Sequence, residues 1–197
     1  MAMTRQPIGE RMAAQLNKLV DNVQGGYLAT QHLIQAGHRR IGHVSGPRGL
    51  FTVQERCEGY RRALAQAGIA FDEALVCFGS YEREFGATAL AGLLALPAPP
   101  TAIFAASDYL AVGMLEALRD RAINVPRDMS IVGFDDMEFA SLLMPPISTM
   151  RQSARDLGRT GVDMLLARLA GDAPPTVRRL PVRLIERASV APPRTRS

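Results

Sequence analysis

"TAIFAASDYLAVGMLEALRDRAINVPRDMSIVGFDD" runs from Thr101 to Asp136 and has the pattern of a strand, a helix and a second strand. The stretch from Thr101 to Ser107 is almost entirely apolar, which is typical of a central parallel strand covered by helices on both faces. Asp108 follows it and is expected to cap the helix. The second strand ends in two adjacent carboxylates, Asp135 and Asp136. This order of elements indicates a parallel sheet.

The same alternation continues on both sides of this stretch. On the N-terminal side we predict a helix at about 23–36, a strand at 41–46, a helix at 52–68, a strand at 74–79 and a helix at 82–96. On the C-terminal side we predict a short strand at 148–150, a helix over 154–170 and extended structure over 176–189. Strands that alternate with helices of this length predict the α/β class with a largely parallel sheet.

Composition narrows the class of protein. The chain has 197 residues, of which 47% are hydrophobic and 21% charged, as in a globular protein of one large or two small domains. No apolar run is long enough for a membrane span, and the N-terminus lacks the apolar core of a secretory signal, so we expect a cytoplasmic protein. Cys57 and Cys77 are expected to be free and structural. The net charge is +4, but the arginines are spread out, which disfavours direct nucleic-acid binding.

Polar and aromatic residues follow the predicted strands at the edge where ligands bind in parallel sheets. The candidates for ligand contact are Thr52, Arg56, Tyr81, Ser107, Asp108, Asp135 and Gln152. A guanidinium fork, a carboxylate and an aromatic ring together suit a pyranose or a purine, which has an apolar face and a polar rim. Structural roles stay open for several of them: Arg56 as a surface charge, Tyr81 as a packing residue, and Asp108 and Thr52 as helix caps.

The sequence lacks the motifs of most catalytic mechanisms. His32, His38 and His43 do not have the spacing of metal ligands, and Asp135 beside Asp136 is only a weak magnesium signal. Neither a nucleophile elbow nor a glycine-rich phosphate loop is present, so we expect no cofactor and no enzyme activity. An enzyme that uses Asp135 with Asp108 is an alternative without a nucleophile to support it.

Four segments carry a family resemblance. Besides the opening stretch they are "VDNVQGGYLATQHLIQAGHRRIGHVSGP" from Val20, "ERCEGYRRALAQAGI" from Glu55 and "PPISTMRQSARDLGRTGVDMLL" from Pro145. In this order and spacing they resemble the effector-binding core of the LacI/GalR family of bacterial transcription regulators, over about Val20 to Ala191. The resemblance implies a periplasmic-binding-protein-like fold: two lobes of parallel sheet flanked by helices, with a small effector in the cleft between them.

The resemblance also implies boundaries. Residues of about 20–70 would belong to an incomplete first lobe, about 71–147 to the second lobe, and about 148–191 to a final helix and strands that cross back. Residues 1–19 match no part of the family and read as a short helix, and residues 192–197 are expected to be a disordered tail.

The implied function is the ligand-binding and dimerisation core of a regulator that senses a sugar or a purine. All seven candidate residues match the family's contact positions, and Asp136 is expected to bind backbone amides of the following "MEF" turn. A homodimer would use Leu110, Val112, Met114, Leu115 and Leu143. Operator DNA would be bound only through a helix-turn-helix head that residues 1–19 do not resemble. The alternative is a stand-alone sugar-binding protein of the same fold.

Overall fold

The computed structural model describes residues 20–171 and 179–194. The expected helix within 1–19, the start of the last extended stretch and the end of the tail lie outside these ranges.

Five α-helices and six strands make up the described residues. They are α1 (Asn22–Gln35), β1 (Ile41–Ser45), α2 (Phe51–Gln66), β2 (Val76–Phe78), α3 (Arg83–Leu94), β3 (Ala102–Ala105), α4 (Asp108–Asp120), β4 (Ser130–Asp135), β5 (Ser148–Arg151), α5 (Ala154–Leu169) and β6 (Arg183–Ile185). In addition, two single-turn 3₁₀ helices occur: Glu73–Leu75 precedes β2 and Glu138–Ser141 follows β4. None of the helices in the described ranges is long and apolar enough to cross a bilayer.

All six strands lie in one sheet, in the order β2-β1-β3-β4-β5-β6. The first five are parallel and β6 is antiparallel to β5, which confirms the predicted α/β class. The assignment of residues 20–70 to a separate lobe is wrong, because Val44 of β1 pairs with both Cys77 of β2 and Ala105 of β3. β5 and β6 extend this same sheet. The described residues therefore form one lobe around one sheet.

Side chains alternate between the two faces of the sheet and build a core on each. In β3, Ile103 and Ala105 pack with α3 and α4, whereas Phe104 packs with α1 and α2. This period of two explains why the strand is apolar throughout, since both of its faces are covered.

Reciprocal glycines bring the helices of each pair into close contact. A Cβ added at Gly26 of α1 would lie under 3.0 Å from the backbone of α2, and one added at Gly59 of α2 would meet the backbone of α1 in the same way. Gly86 of α3 and Gly113 of α4 have the same relationship on the other face. Each helix pair is thus packed backbone against backbone.

The chain leaves the neighbouring strands β1 and β3 in opposite directions. From β1 it passes through α2 to β2 at one edge, and from β3 it passes through α4 to β4 on the other side. The two loops that follow β1 and β3 therefore diverge, and the crevice between them is where open α/β sheets bind ligands.

The C-terminal residues differ from the expected disordered tail. Arg194 forms an ion pair with Asp128 at 2.8 Å, and Pro193 lies beside Gly37. These contacts hold residues 192–194 against the lobe.

Helix α5 presents an apolar face to the outside. Its exposed large hydrophobic residues are Val162, Leu165, Leu166 and Leu169. The helix carries more apolar surface than the described part of the chain covers.

Candidate ligand-binding site

Arg56 is a buried and tightly held cation, not a surface charge. Only 6% of it is exposed. Its guanidinium lies over the ring of Phe134, 3.6 Å from the centroid, and donates to Asn22 Oδ1 at 2.9 Å and to the Ala106 carbonyl. Because the ring and both acceptors fix its plane, Arg56 presents its remaining donors towards the end of β4 in one orientation.

Asp135 stands at the end of β4, facing Arg56. Its Oδ1 lies 3.8 Å from an Arg56 Nη and accepts a hydrogen bond from Gln152 Nε2 at 2.7 Å. Burial raises the pKa of this carboxyl above its ordinary value, while Arg56 and hydrogen bonds from Ser107 and Gln152 act against the rise. The backbone φ of 110° is rare for a side-chain-bearing residue. The strained turn directs the carboxylate across the strand ends.

Thr52 and Tyr81 complete the same edge of the sheet. Thr52 is buried one helical turn before Arg56, in a helix whose N-cap is Leu50 and not Thr52. The Tyr81 ring packs on Gly46, where an added Cβ would meet the ring at under 3.0 Å. The half-buried ring thus lies where β1 ends and offers a flat apolar surface.

Asp108 does not lie on the cleft surface, contrary to its place among the ligand contacts. It is fully buried, and its carboxylate accepts from Thr149 Oγ1 at 2.7 Å and from the Met137 backbone N–H at 2.8 Å. Nor is it the N-cap of α4, since Ser107 accepts from the Tyr109 N–H in that role. Asp108 instead ties α4 to β5 and to the turn after β4, and so supports the backbone that carries Asp135.

Asp136 binds two arginines and not the amides of the "MEF" turn. Arg187 donates to it at 2.7 Å, and Arg151 forms a second ion pair. Burial favours a higher pKa for this carboxyl, but the hydrogen bonds from Arg187 and Arg151 together lower it below its ordinary value. Asp136 is therefore an ionised anchor between β4, β5 and the C-terminal segment.

The profile of the periplasmic binding protein-like domain matches residues 30–190 of the chain. The chain belongs to this family.

Relatives of this periplasmic binding protein-like domain are transcription regulators. The ribose operon repressor of Haemophilus influenzae is 40% identical over 154 residues, which are 78% of this chain and 46% of that protein. The chain spans about half the length of the curated relatives it matches. Its sequence and fold are those of the C-terminal core of LacI-type regulators.

Solved structures have the same fold. A LacI family regulator from Mycobacterium smegmatis is 35% identical, with a TM-score of 0.82 over 89% of this chain and 66% of that one. A LacI family regulator from Enterococcus faecium with bound ribose is 31% identical, with a TM-score of 0.78 over 89% of this chain and 65% of that one.

Some of the residues expected to form the dimer interface of this periplasmic binding protein-like domain are buried within the domain, and others are partly exposed. Leu110 and Met114 are fully buried between α4 and the sheet, so their assignment to an interface is wrong. Val112 is also buried, whereas Leu115 and Leu143 are partly exposed. The exposed apolar residues of this region are Tyr109, Met137, Leu142 and Met144.

Sequence reasoning missed two residues that shape the candidate site. Phe134 carries the Arg56 guanidinium, and Asn22 at the start of α1 accepts its Nε–H. Phe134 directly precedes Asp135, so its position in the motif was a usable signal. Asn22 offered no such signal. It lies 34 residues from Arg56 in the sequence, and only the packing of α1 on α2 brings the two together.

We expect the folding stability of this domain to depend on pH through the titration of Asp108. Burial raises the pKa of Asp108 from 3.8 to about 7. Between these values the folded state holds a proton that the unfolded state has released, so the contribution of Asp108 falls as the pH rises and is constant above about 7. The difference in unfolding free energy between wild type and Asp108→Asn should therefore fall by up to about 1.4 kcal/mol per pH unit in this window.

Urea unfolding of both proteins at several pH values measures that difference, and the titrations that the two proteins share cancel. A difference that stays constant from about pH 4.5 to 7.5 would contradict the assignment.

Proposed function

We propose that this chain is the effector-binding core of a LacI-type regulator and that its ligand is a sugar or another small polar ring. The observation that carries the proposal is the meeting of Arg56, Asp135 and Gln152 at the carboxyl ends of the strands, beside the crevice between the β1 and β3 loops. The relatives, described as transcriptional regulators, support the same assignment.

The site chemistry favours a hydroxylated ring. Asp135 can accept hydrogen bonds from two vicinal hydroxyl groups, while Arg56 donates to a ring or hydroxyl oxygen in the same plane. Tyr81 offers its face to the apolar side of the ring. Ribose is our first candidate, because the E. faecium regulator is described with bound ribose and the H. influenzae relative as a ribose operon repressor.

A thermal-shift panel tests the proposal. It contains D-ribose, other pentoses and hexoses, and purine bases, each in large excess. A ligand at about a hundred times its Kd should stabilise the folded state by roughly 2.7 kcal/mol. A folded protein whose melting temperature no member of the panel changes would contradict the proposal.

The proposal includes a homodimer formed through the apolar residues around the turn after β4. Tyr109 at the start of α4 packs on Phe139, with ring centroids 5.2 Å apart, and Leu142 and Met144 extend this surface at 76% and 91% exposure. Side chains this apolar and this exposed are typical of interfaces.

We expect Met144→Asp to weaken the dimer by roughly tenfold to a hundredfold, because it places a charge in the buried centre of the interface. Sedimentation velocity over a concentration series measures the dissociation constant. Leu169→Asp is the control, since it adds the same charge to the equally apolar face of α5. If both substitutions have the same effect, the surface around Met144 is not the dimer interface.

In this proposal, effector binding acts on operator affinity through its different affinities for two conformations of the regulator. Contact with operator DNA is assigned to a separate head and not to residues 20–194.

A further inference from the structure

The Arg56 guanidinium is the first member of a chain of polar groups that continues away from the site. Its Nε–H donates to Asn22 Oδ1 at 2.9 Å, and Asn22 Nδ2 donates to Glu55 Oε2 at 3.3 Å. Arg179 donates to the other Glu55 oxygen at 2.8 Å. Asn22 is fully buried and Glu55 is 8% exposed, so these groups exchange few of their hydrogen bonds with water.

The end of this hydrogen-bonded series that is remote from Arg56 lies where two segments distant in sequence pair. Val20 and Leu180 form a parallel bridge, and the Asp21 N–H donates to the Leu180 carbonyl at 3.1 Å. Arg179 also lies 3.8 Å from Asp21 Oδ1. One guanidinium thus links the buried Glu55 to the pairing of residues 20–21 with 179–180.

The polar groups of this hydrogen-bonded series stabilise one another. A carboxylate as buried as Glu55 is costly unless hydrogen bonds satisfy it, and Asn22 and Arg179 supply them. Asn22 can donate to Glu55 and accept from Arg56 only while its amide keeps one orientation. A shift of Arg56 would therefore disturb the orientation of Asn22 and, through it, the hydrogen bonds of Glu55.

We propose that Asn22, Glu55 and Arg179 form a relay that positions Arg56 and couples the ligand site to the pairing of residues 20–21 with 179–180. The proposal rests on the proposed function for the role of Arg56. Asn22 and Glu55 are positioning residues in this relay, and Arg179 transmits their state to the paired segments. Because coupling free energies are reciprocal, a change at either end must be felt at the other.

The first test measures the Arg56 end without any ligand. In Arg179→Ala we expect the Arg56 Nε–H to exchange with solvent about threefold faster or more in ¹⁵N NMR, which corresponds to a coupling of about 0.65 kcal/mol or above. Arg183→Ala is the matched control, because it removes the same charge from an exposed position on β6. Arg179 has 45% of its side chain exposed, so its removal leaves the core intact.

The second test measures the other end. Arg56→Lys keeps the charge but removes the Nε–H donor, and we expect the Asp21 amide, which bonds to Leu180, to exchange faster by a similar factor. The Ile131 amide, which bonds to Ser189 at 2.9 Å, is the reference, and the Asp21 amide should exchange faster relative to it than in wild type. Faster exchange at both amides in equal measure would indicate general destabilisation and overturn the relay.

The relay is also overturned if Arg56 Nε–H exchange is the same in Arg179→Ala as in Arg183→Ala. With D-ribose as the probe, ligand should slow Asp21 exchange in wild type and in Arg183→Ala but not in Arg179→Ala. If D-ribose and the rest of the panel bind nowhere, the proposed function fails, whereas the two ligand-free tests still decide the relay.

Discussion

Arg56→Ala should weaken ligand binding by at least about a hundredfold. The substitution removes the charge-assisted donors to the ligand, each worth roughly 1.5–3 kcal/mol, and leaves Asp135 mostly buried without its cation. Isothermal titration of wild type and variant with D-ribose, or with the panel member that gives the largest thermal shift, measures the loss.

Two further variants separate a binding effect from a folding effect. Asp135→Asn keeps the size and polarity of the side chain but removes the anion, and it should cost about tenfold or more in affinity. Arg62→Ala removes an arginine from the outer face of the same helix, where 63% of it is exposed and it pairs with Glu58, and it should leave the affinity unchanged. A ligand that binds Arg56→Ala and Arg62→Ala equally well would show that the site lies elsewhere.

Gly113→Ala should destabilise the fold by about 1–3 kcal/mol, although alanine is the better helix former. The added methyl group would overlap the Arg83 carbonyl of α3, a backbone atom that cannot move aside without separating the two helices. For a domain of this size the melting temperature should fall by roughly 2–4 °C per kcal/mol, which calorimetry can measure.

Gly92→Ala is the matched control for Gly113→Ala. Gly92 lies within α3, and a Cβ added there would meet nothing within 4 Å. The same chemical change should therefore stabilise the protein by about 0.5–1 kcal/mol through helix propensity alone. If the two variants change the melting temperature in the same direction, the close packing of α3 on α4 is not the constraint described above.

The alternation of helices and strands was readable from the sequence because each element is defined by local periodicity. The division into lobes was not, because it depends on which strands pair. β1 resembles any short apolar strand, and only its hydrogen bonds to β2 and β3 place it inside the same sheet, second from one edge. Strand order is a non-local property that a single sequence does not display.

For the site, residue type and strand-end position indicated Arg56, Asp135 and Gln152, which the fold brings together. Asp108 has the same local signal as Asp135, yet the tertiary bonds from Thr149 and Met137 turn its carboxylate inward. Leu110 and Met114 failed as interface residues for a related reason: apolar spacing on a helix is the same whether the face meets the sheet or a second copy.

The single sheet has a kinetic consequence. Arg56, Asp135 and Gln152 project from one sheet and its flanking helix and already contact one another in the absence of a ligand. A sugar that binds here meets side chains that are already in place, and its release does not require a conformational change. For the described residues alone, we therefore expect association and release to be fast on the millisecond timescale of NMR titrations, with peaks that move continuously instead of splitting.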